Sequence, residues 1–329
     1  MSKEKKKYFR RMMGWIALRT FTLINGVLPL KWSYTLGKTL GTIAHLVMIR
    51  HRRIALESVS FAFETLSLKE RKKIASNFFI FMMQSFLEML HFLRNPRKLE
   101  NVRMEGREYL ESALQKKKGI IILTAHLGNF PLMSLKLAKI GYVVNFVTRP
   151  MRDKKTGDYL HTLRTDAGVK TIFSYPRREC VNGIIKGLRS NELVVIQMDQ
   201  NFGTGGVWVK FFGKLAATPV GPIVFALRTG AAVVPAYIYR EAEGRHCIKI
   251  FPQEELIFSQ DKDEAVLLNA IKFTRIIENW IRKTPSQWGW VHRRWKSRPS
   301  DKVRQLKFKI EGQIPPHPPT TENNFVASG

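Results

Sequence analysis

Hydrophobic residues at helical spacing dominate the first hundred positions of the chain. Residues 32–50 are mostly apolar, and residues 58–93 repeat apolar side chains at intervals of three and four. Ser67 and Glu70 have the spacing of a capping box, in which each residue satisfies a free backbone amide of the other at the start of a helix. These patterns predict that residues 31–110 are helical.

The pattern changes near residue 111, where short apolar runs begin to alternate with helical stretches. The apolar runs predict strands at 120–126, 142–148, 169–173, 192–198, 232–241 and 247–251. Helices are predicted at 131–141, 153–167, 178–189, 218–230 and 263–283, with Thr218 as an N-cap and Pro219 in the first turn. Alternating strands and helices are typical of an α/β fold with a mostly parallel central sheet flanked by helices.

The two ends of the chain differ from this pattern. The first twelve residues carry six Lys or Arg and one Glu, and the longest uncharged run after them has eleven residues, where a membrane span needs about 20. We therefore predict an interfacial helix or membrane-dipping anchor over residues 1–30, with an ordinary core helix as the alternative. A single domain is expected over 31–312, with a disordered proline-rich tail at 313–329.

The amino-acid composition excludes several classes of protein function. Lys and Arg number 55 against 26 Asp and Glu, a net charge of +29, so an acidic partner is expected. The two cysteines, Cys180 and Cys247, cannot form a disulfide framework or a four-cysteine zinc site, and no metal or cofactor is predicted. No zinc spacing, helix-turn-helix or RNA-binding motif is present, which argues against nucleic acid. A G-x-S-x-G elbow and a complete dinucleotide fingerprint are also missing from the sequence.

The strongest chemical signal is a histidine at the end of a predicted buried strand, in the segment TAHLGNFP. The carboxyl edge of a parallel sheet is where ligands bind, and histidine titrates nearest to neutral pH, so His126 is a candidate for proton transfer. Gly128 permits a close backbone approach, and Asn129 is able to cap the next helix or bind a substrate. A buried histidine without a catalytic role is the alternative interpretation.

Two further segments carry polar chemistry. Asp199 and Gln200 follow the predicted strand 192–198, so they emerge at the same edge as His126 if the two strands are parallel. The segment PSQWGWVHRRWK, residues 285–296, alternates tryptophans with cations. Such a segment either contacts a membrane interface or lipid headgroup, or closes the core with its cations exposed.

Taken in order, these blocks resemble the bacterial lipid A biosynthesis acyltransferases, relatives of the glycerolipid acyltransferases. The resemblance rests on RRIALESVSFAF and LSLKERKKIA (52–75), TAHLGNF (124–130), and the blocks from MDQNFG to HRRWK (198–296). It implies transfer of a fatty acyl chain from an acyl carrier protein or acyl-CoA thioester to a hydroxyl of a phosphorylated glycolipid. It also implies an anionic membrane surface as partner, at the cytoplasmic face of the bacterial inner membrane.

One position departs from the family pattern, in which a carboxylate follows the histidine by five residues. Here that position is Pro131, which cannot orient an imidazole. We expect Asp199 to take over this role; the alternative is a weakened or non-catalytic relative that still binds lipid. On the first interpretation His126 is the general base, and the turn from Gly128 to Phe130 offers amides to the oxyanion.

The resemblance also suggests substrate-binding positions. Arg149 and Arg164 are candidates for holding the phosphate of the acceptor or of the carrier's phosphopantetheine. The remaining expected substrate-binding residues are Gly128, Asn129, Gln200 and Arg293.

Overall fold

A computed structural model describes residues 3–241 and 244–299 of the chain. The predicted tail at 313–329 lies outside the described residues. Ten helices are present in the described part: α1 Lys3–Val27, α2 Leu30–Val47, α3 Ile49–Ala62, α4 Leu68–Arg94, α5 Arg107–Leu114, α6 Phe130–Lys139, α7 Lys154–Asp166, α8 Arg177–Arg189, α9 Gly221–Thr229 and α10 Lys262–Lys283. The capping box at α4 is confirmed: the side chains of Ser67 and Glu70 each bond the other residue's backbone amide.

The described strands form one large sheet and one hairpin. The strands are β1 Arg103–Glu105, β2 Ile120–Thr124, β3 Val144–Thr148, β4 Val169–Phe173, β5 Leu193–Gln197, β6 Val207–Phe211, β7 Lys214–Thr218, β8 Ala232–Arg240 and β9 His246–Ile250. The seven-stranded sheet has the order β1-β9-β8-β2-β5-β3-β4, and all its pairs are parallel except β8 with β9. The predicted mostly parallel α/β fold is therefore confirmed.

The central strand β2 is buried on both faces, as its unbroken apolar run predicts. Ile121 and Leu123 contribute to the core on one side of the sheet, against α8, α9 and α10, whereas Ile120 and Ile122 contribute to the core on the other side, against α5 and α6. On one flank β2 pairs with β5 in a register that places Thr124 opposite Gln197. Because the two strands are parallel and in register, the residues that follow them meet at the carboxyl edge of the sheet.

The region between β5 and α9 differs from the sequence expectation. Residues 207–218 form the antiparallel hairpin β6–β7, which the aromatic run did not reveal. Thr218 is the last residue of β7, paired with Val207, so it does not cap a helix. Helix α9 begins only at Gly221, and Pro219 lies before it. The prediction of a helix start at Thr218 is wrong because strand pairing uses that residue.

Helix α1 has an inverted distribution of polar and apolar side chains. Thr22 and Asn25 are 0% and 2% exposed, whereas Leu23, Ile24 and Val27 are 48%, 50% and 84% exposed. Asn25 donates to the Leu87 carbonyl on α4, so the inward polar face is satisfied by hydrogen bonds. Within the described residues, every helix is too short or too polar to cross a bilayer.

Candidate active site

His126 lies two residues beyond the end of β2 and pairs with a carboxylate that follows the neighbouring strand. Its Nδ1 is 2.8 Å from Oδ1 of Asp199, and its backbone N–H donates to Oδ2 of the same side chain at 2.9 Å. A carboxylate accepts hydrogen bonds only, so this contact fixes the proton of the neutral imidazole on Nδ1. The lone pair of Nε2 is then free to accept a proton.

Asp199 is almost completely buried, with 1% of its surface exposed. Its Oδ2 also accepts the indole N–H of Trp288 at 2.6 Å. Burial by itself raises the pKa of this carboxyl, but the charge and hydrogen bond of His126, together with the Trp288 donor, outweigh it and hold the pKa well below its usual range. Asp199 is therefore a carboxylate at neutral pH and is ready to stabilise a protonated imidazole.

The other ring nitrogen of His126 faces Gln200 and a second histidine. Nε2 of Gln200 is 2.9 Å from Nε2 of His126 and 3.4 Å from Nδ1 of His292. The two imidazole rings lie 4.9 Å apart, centre to centre. Desolvation by surrounding groups and the proximity of His126 lower the pKa of His292 to about 4, so His292 is neutral near pH 7 and adds no charge beside His126.

The segment 285–296, which we call the closing segment, packs along the turn that carries His126. Leu127 and Trp288 form an antiparallel bridge, with the Gly128 N–H donating to the Gln287 carbonyl at 3.0 Å and the Gly289 N–H to the His126 carbonyl at 3.1 Å. The closing segment therefore holds both the backbone of His126 and, through Trp288, its carboxylate partner.

Arg294 anchors the closing segment to the β6–β7 hairpin. It is 1% exposed, and it donates to the carbonyl of Ala217 at 2.6 Å and to the hydroxyl of Thr218. Burial lowers the pKa of Arg294 to about 10, partly offset by the charge of Asp199, so the guanidinium remains charged at neutral pH. Its positive charge helps to keep Asp199 ionised.

Gly128 and Asn129 shape the turn between His126 and α6. Gly128 has φ +63°, and a Cβ there would lie 1.8 Å from the Ile238 carbonyl oxygen, so only glycine fits against β8. Asn129 is 2% exposed, and its amide donates to the Ser85 carbonyl at 3.0 Å and to Glu88 at 3.1 Å. These contacts give both residues a role in fixing the turn, beside the substrate contacts that the sequence predicts for them.

Glu88 on α4 is fully buried and is the centre of a polar cluster behind this turn. Its carboxylate accepts hydrogen bonds from Asn129, from the Tyr34 hydroxyl, from the Arg240 guanidinium (2.6 Å) and from His246 (2.8 Å). Burial raises the pKa of Glu88, but the charges and donors of His246 and Arg240 more than compensate and leave it well below its ordinary value. The cluster thus joins α2, α4, β8 and β9 to the turn after His126.

We expect Glu88→Gln to lower the free energy of unfolding at pH 7 by about 3 kcal/mol, because it leaves the largely buried Arg240 guanidinium without its counter-charge. The folded-state pKa is depressed, so this stabilisation is present above the unfolded pKa of about 4.3 and is lost as pH falls toward the folded value. Urea unfolding at pH 7 and at about pH 3 measures both effects. Glu64→Gln, at an exposed ion pair with Lys214, is the control. Equal stability of the two variants at pH 7 would contradict this role.

The other candidate arginines lie apart from the imidazole. Arg149 is exposed just beyond β3, at the same sheet edge as His126. Arg164 is half-buried, with its Nε 3.4 Å from the Thr171 hydroxyl of β4, and burial lowers its pKa. Since β4 is three strands from β2, Arg164 is displaced from the strand of His126 by roughly 14 Å. Arg293 follows His292 and points to a cavity described below.

Sequence reasoning missed two residues of this site. Trp288 and His292 both come from the closing segment, 89 and 92 positions from their partners Asp199 and Gln200. The density of tryptophans and cations in WGWVHRRW was the only signal, and it indicated a lipid headgroup role as readily as a core role.

Comparison with known proteins gives a family match over nearly the whole chain. The family described as bacterial lipid A biosynthesis acyltransferase matches residues 2–297. The lipid A biosynthesis lauroyltransferase of Escherichia coli (strain K12) is 26% identical over 294 residues, covering 88% of this chain and 93% of its own. The palmitoleoyltransferase of the same organism is 26% identical over 271 residues, covering 80% and 85%.

More distant similarities extend to other lipid acyltransferases. The phosphatidylinositol mannoside acyltransferase of Mycobacterium tuberculosis (strain CDC 1551 / Oshkosh) is 24% identical over 210 residues, which is 64% of each chain. Among solved structures, the 1-acyl-sn-glycerophosphate acyltransferase of Thermotoga maritima aligns with a TM-score of 0.35 and 14% identity, over 74% of this chain and 98% of its own.

Proposed function

The chain belongs to the bacterial lipid A biosynthesis acyltransferase family, and from this premise we propose that it moves a fatty acyl chain from a thioester to a hydroxyl of a membrane glycolipid. The donor is an acyl carrier protein, with acyl-CoA as the alternative, and His126 is the general base. The observation that carries the proposal is the contact of His126 Nδ1 with the buried Asp199 carboxylate, which leaves Nε2 able to accept a proton.

The reaction begins with the acceptor hydroxyl taking the place of the Gln200 amide at Nε2 of His126. The imidazole removes the hydroxyl proton as the oxygen attacks the thioester carbonyl, and Asp199 stabilises the imidazolium that forms. When the tetrahedral intermediate collapses, the carbon–sulfur bond breaks and the proton passes from His126 to the leaving thiolate. The products are the ester and the free thiol.

The negative charge that develops on the thioester carbonyl oxygen needs hydrogen-bond donors near His126. The Gly128 N–H already donates to the Gln287 carbonyl, so the backbone amides of Asn129 and Phe130 at the start of α6 are the better candidates from this turn. The Gln200 amide, once displaced from Nε2, is a third donor. Pro131 occupies the first turn of α6, where its missing N–H costs nothing.

The amphipathic N-terminal helices support a membrane-bound acceptor. Apolar side chains on the outer surface of α1 and α2 lie beside exposed cations such as Arg19, Lys31 and Lys38. Apolar contact with acyl chains and attraction to anionic headgroups act together at such a surface. We infer that these helices hold the enzyme on an anionic bilayer, on the cytoplasmic side where thioester donors are made.

Purified full-length protein should add one acyl group to lipids extracted from the membranes of a strain that lacks the protein. Mass spectrometry would detect the product as a lipid heavier by one acyl chain, with acyl carrier thioester and acyl-CoA compared as donors. If the protein binds these lipids but forms no acylated product with either donor, the alternative of a non-catalytic relative is favoured.

A further inference from the structure

A cavity of about 280 Å³ lies between α3 and the end of the closing segment. Three cations line it, Arg293, Lys296 and Arg298, together with one carboxylate, Glu57. Its inner wall is formed by the buried Ser58 and by Trp295, whose indole stacks on Phe61 at 5.8 Å between ring centres. The cavity is therefore small, aromatic on one side and carries an excess of positive charge.

Positive charge exceeds negative charge at this cavity. Among residues 3–241 and 244–299, none of the three cations forms an ion pair, although Glu57 lines the same cavity. Three cations beside a single carboxylate repel one another, and an anion bound between them relieves that repulsion. Guanidinium groups are suited to phosphate because their N–H groups match two oxygens at once.

The backbone of the closing segment fixes this arrangement. Arg293 has φ 50°, a left-handed conformation that non-glycine residues adopt rarely. This conformation directs its side chain away from those of His292 and Arg294. Arg294 on one side is buried in the β6–β7 hairpin, and His292 on the other side faces Gln200 beside His126. Arg293 is thus directed to the cavity by two neighbours that are themselves held in place.

We propose that this cavity binds the phosphate ester of a substrate, and that Arg293 and Lys296 hold the phosphate oxygens. The cavity is too small for a lipid, but a phosphate and part of the group that bears it fit. The inference rests on the proposed acyl transfer, where two substrates carry such an ester: the glycolipid acceptor and the phosphopantetheine arm of the donor. Arg293 follows His292, which faces Gln200 beside His126, so the segment that lines the cavity is the one that also reaches the proposed reacting groups.

Binding of pyrophosphate to the full chain, measured by calorimetry at physiological salt, tests the site without catalysis. The double variant Arg293→Gln/Lys296→Gln is expected to bind pyrophosphate at least ~10-fold more weakly than the parent, since two charge-assisted contacts are lost. The matched control is Lys186→Gln/Arg189→Gln. It removes the same charge from a cavity next to Ser190, which precedes β5 and therefore lies at the sheet edge opposite His126.

Kinetic measurements identify which substrate carries the bound phosphate. Acyl-phosphopantetheine is compared with acyl-pantetheine as donor, and the glycolipid acceptor is compared with its phosphatase-treated form. We expect the parent to prefer the phosphorylated member of one pair, and the Arg293→Gln/Lys296→Gln variant to lose that preference through a KM raised at least ~10-fold with kcat nearly unchanged.

The proposed phosphate site is wrong if the parent and the Arg293→Gln/Lys296→Gln variant bind pyrophosphate equally. It is also wrong if the control variant Lys186→Gln/Arg189→Gln loses as much affinity. If the Arg293→Gln/Lys296→Gln variant retains the phosphate preference of the parent, the assignment of the cavity to a substrate phosphate is wrong. In either case, acyl transfer that still depends on His126 would leave the proposed function standing. If the parent transfers no acyl chain, the proposed function fails, and the pyrophosphate titration alone decides whether the cavity is an anion site.

Discussion

His126→Ala should lower the rate of acyl transfer by about 10³-fold or more, because it removes the group that takes the proton from the acceptor hydroxyl. Without that base, the neutral hydroxyl must attack the thioester unaided, and only positioning and oxyanion donors remain. Single-turnover measurement with saturating donor and acceptor isolates the chemical step from binding and product release.

Folding does not depend on the imidazole to the same extent. In the alanine variant Asp199 still accepts the backbone N–H of residue 126 and the Trp288 indole, so the buried carboxylate keeps two donors. Urea unfolding of this variant should therefore show a complete cooperative transition. His51→Ala, at an exposed position on α3, is the matched control and should turn over like the parent. If His126→Ala and His51→Ala have equal rates, the mechanism is wrong.

Asp199→Asn should reduce turnover by about 10²-fold, with at least ~10-fold as the lower bound. The amide cannot stabilise an imidazolium, and its NH₂ group can donate to Nδ1, which moves the imidazole proton to Nε2. A histidine in that tautomer has no lone pair facing the acceptor hydroxyl. Asp166→Asn, an exposed acid at the end of α7, makes the same chemical change away from the site and is the control.

The low pKa of Asp199 determines how the effect of Asp199→Asn depends on pH. Because the pKa of Asp199 lies well below its ordinary value, the parent keeps the carboxylate ionised throughout mildly acidic and neutral conditions. The deficit of the Asp199→Asn variant should therefore stay nearly constant between about pH 6 and 9. Full activity of this variant at any pH in that range would show that another group orients His126.

The parallel sheet could be predicted because its central strands β2 and β5 are buried on both faces and consist of nearly uninterrupted apolar runs. The same pattern places His126 and Asp199 at one edge, since neighbouring parallel strands end together. The hairpin β6–β7 could not be found from uninterrupted apolar runs. Its strand β6 is paired on one side only, by antiparallel β7, and the less buried Trp208 and Lys210 alternate with its more buried residues. Thr218 then looked like a helix cap, although its backbone belongs to that hairpin.

Only the residues of the site that directly follow neighbouring strands could be predicted from the sequence. Asp199 follows a strand adjacent to β2, whereas Trp288 and His292 reach the site through a segment whose regular structure is limited to two single-turn 3-10 helices. No spacing rule connects residues about ninety positions apart in such a segment. The arginines chosen by family resemblance show the converse: Arg164 is distant from His126 because of the order of β5, β3 and β4, which local patterns do not determine.

The buried carboxylate of Glu88 has a consequence for how the molecule behaves as a whole. It ties Tyr34 of α2 to the strands through Arg240 and His246, and to the turn that carries His126 through Asn129. Helices α2 and α4 and the sheet that bears His126 are therefore joined through one buried carboxylate. If the N-terminal helices lie on a bilayer as proposed, their orientation on it also sets the direction in which the turn carrying His126 faces.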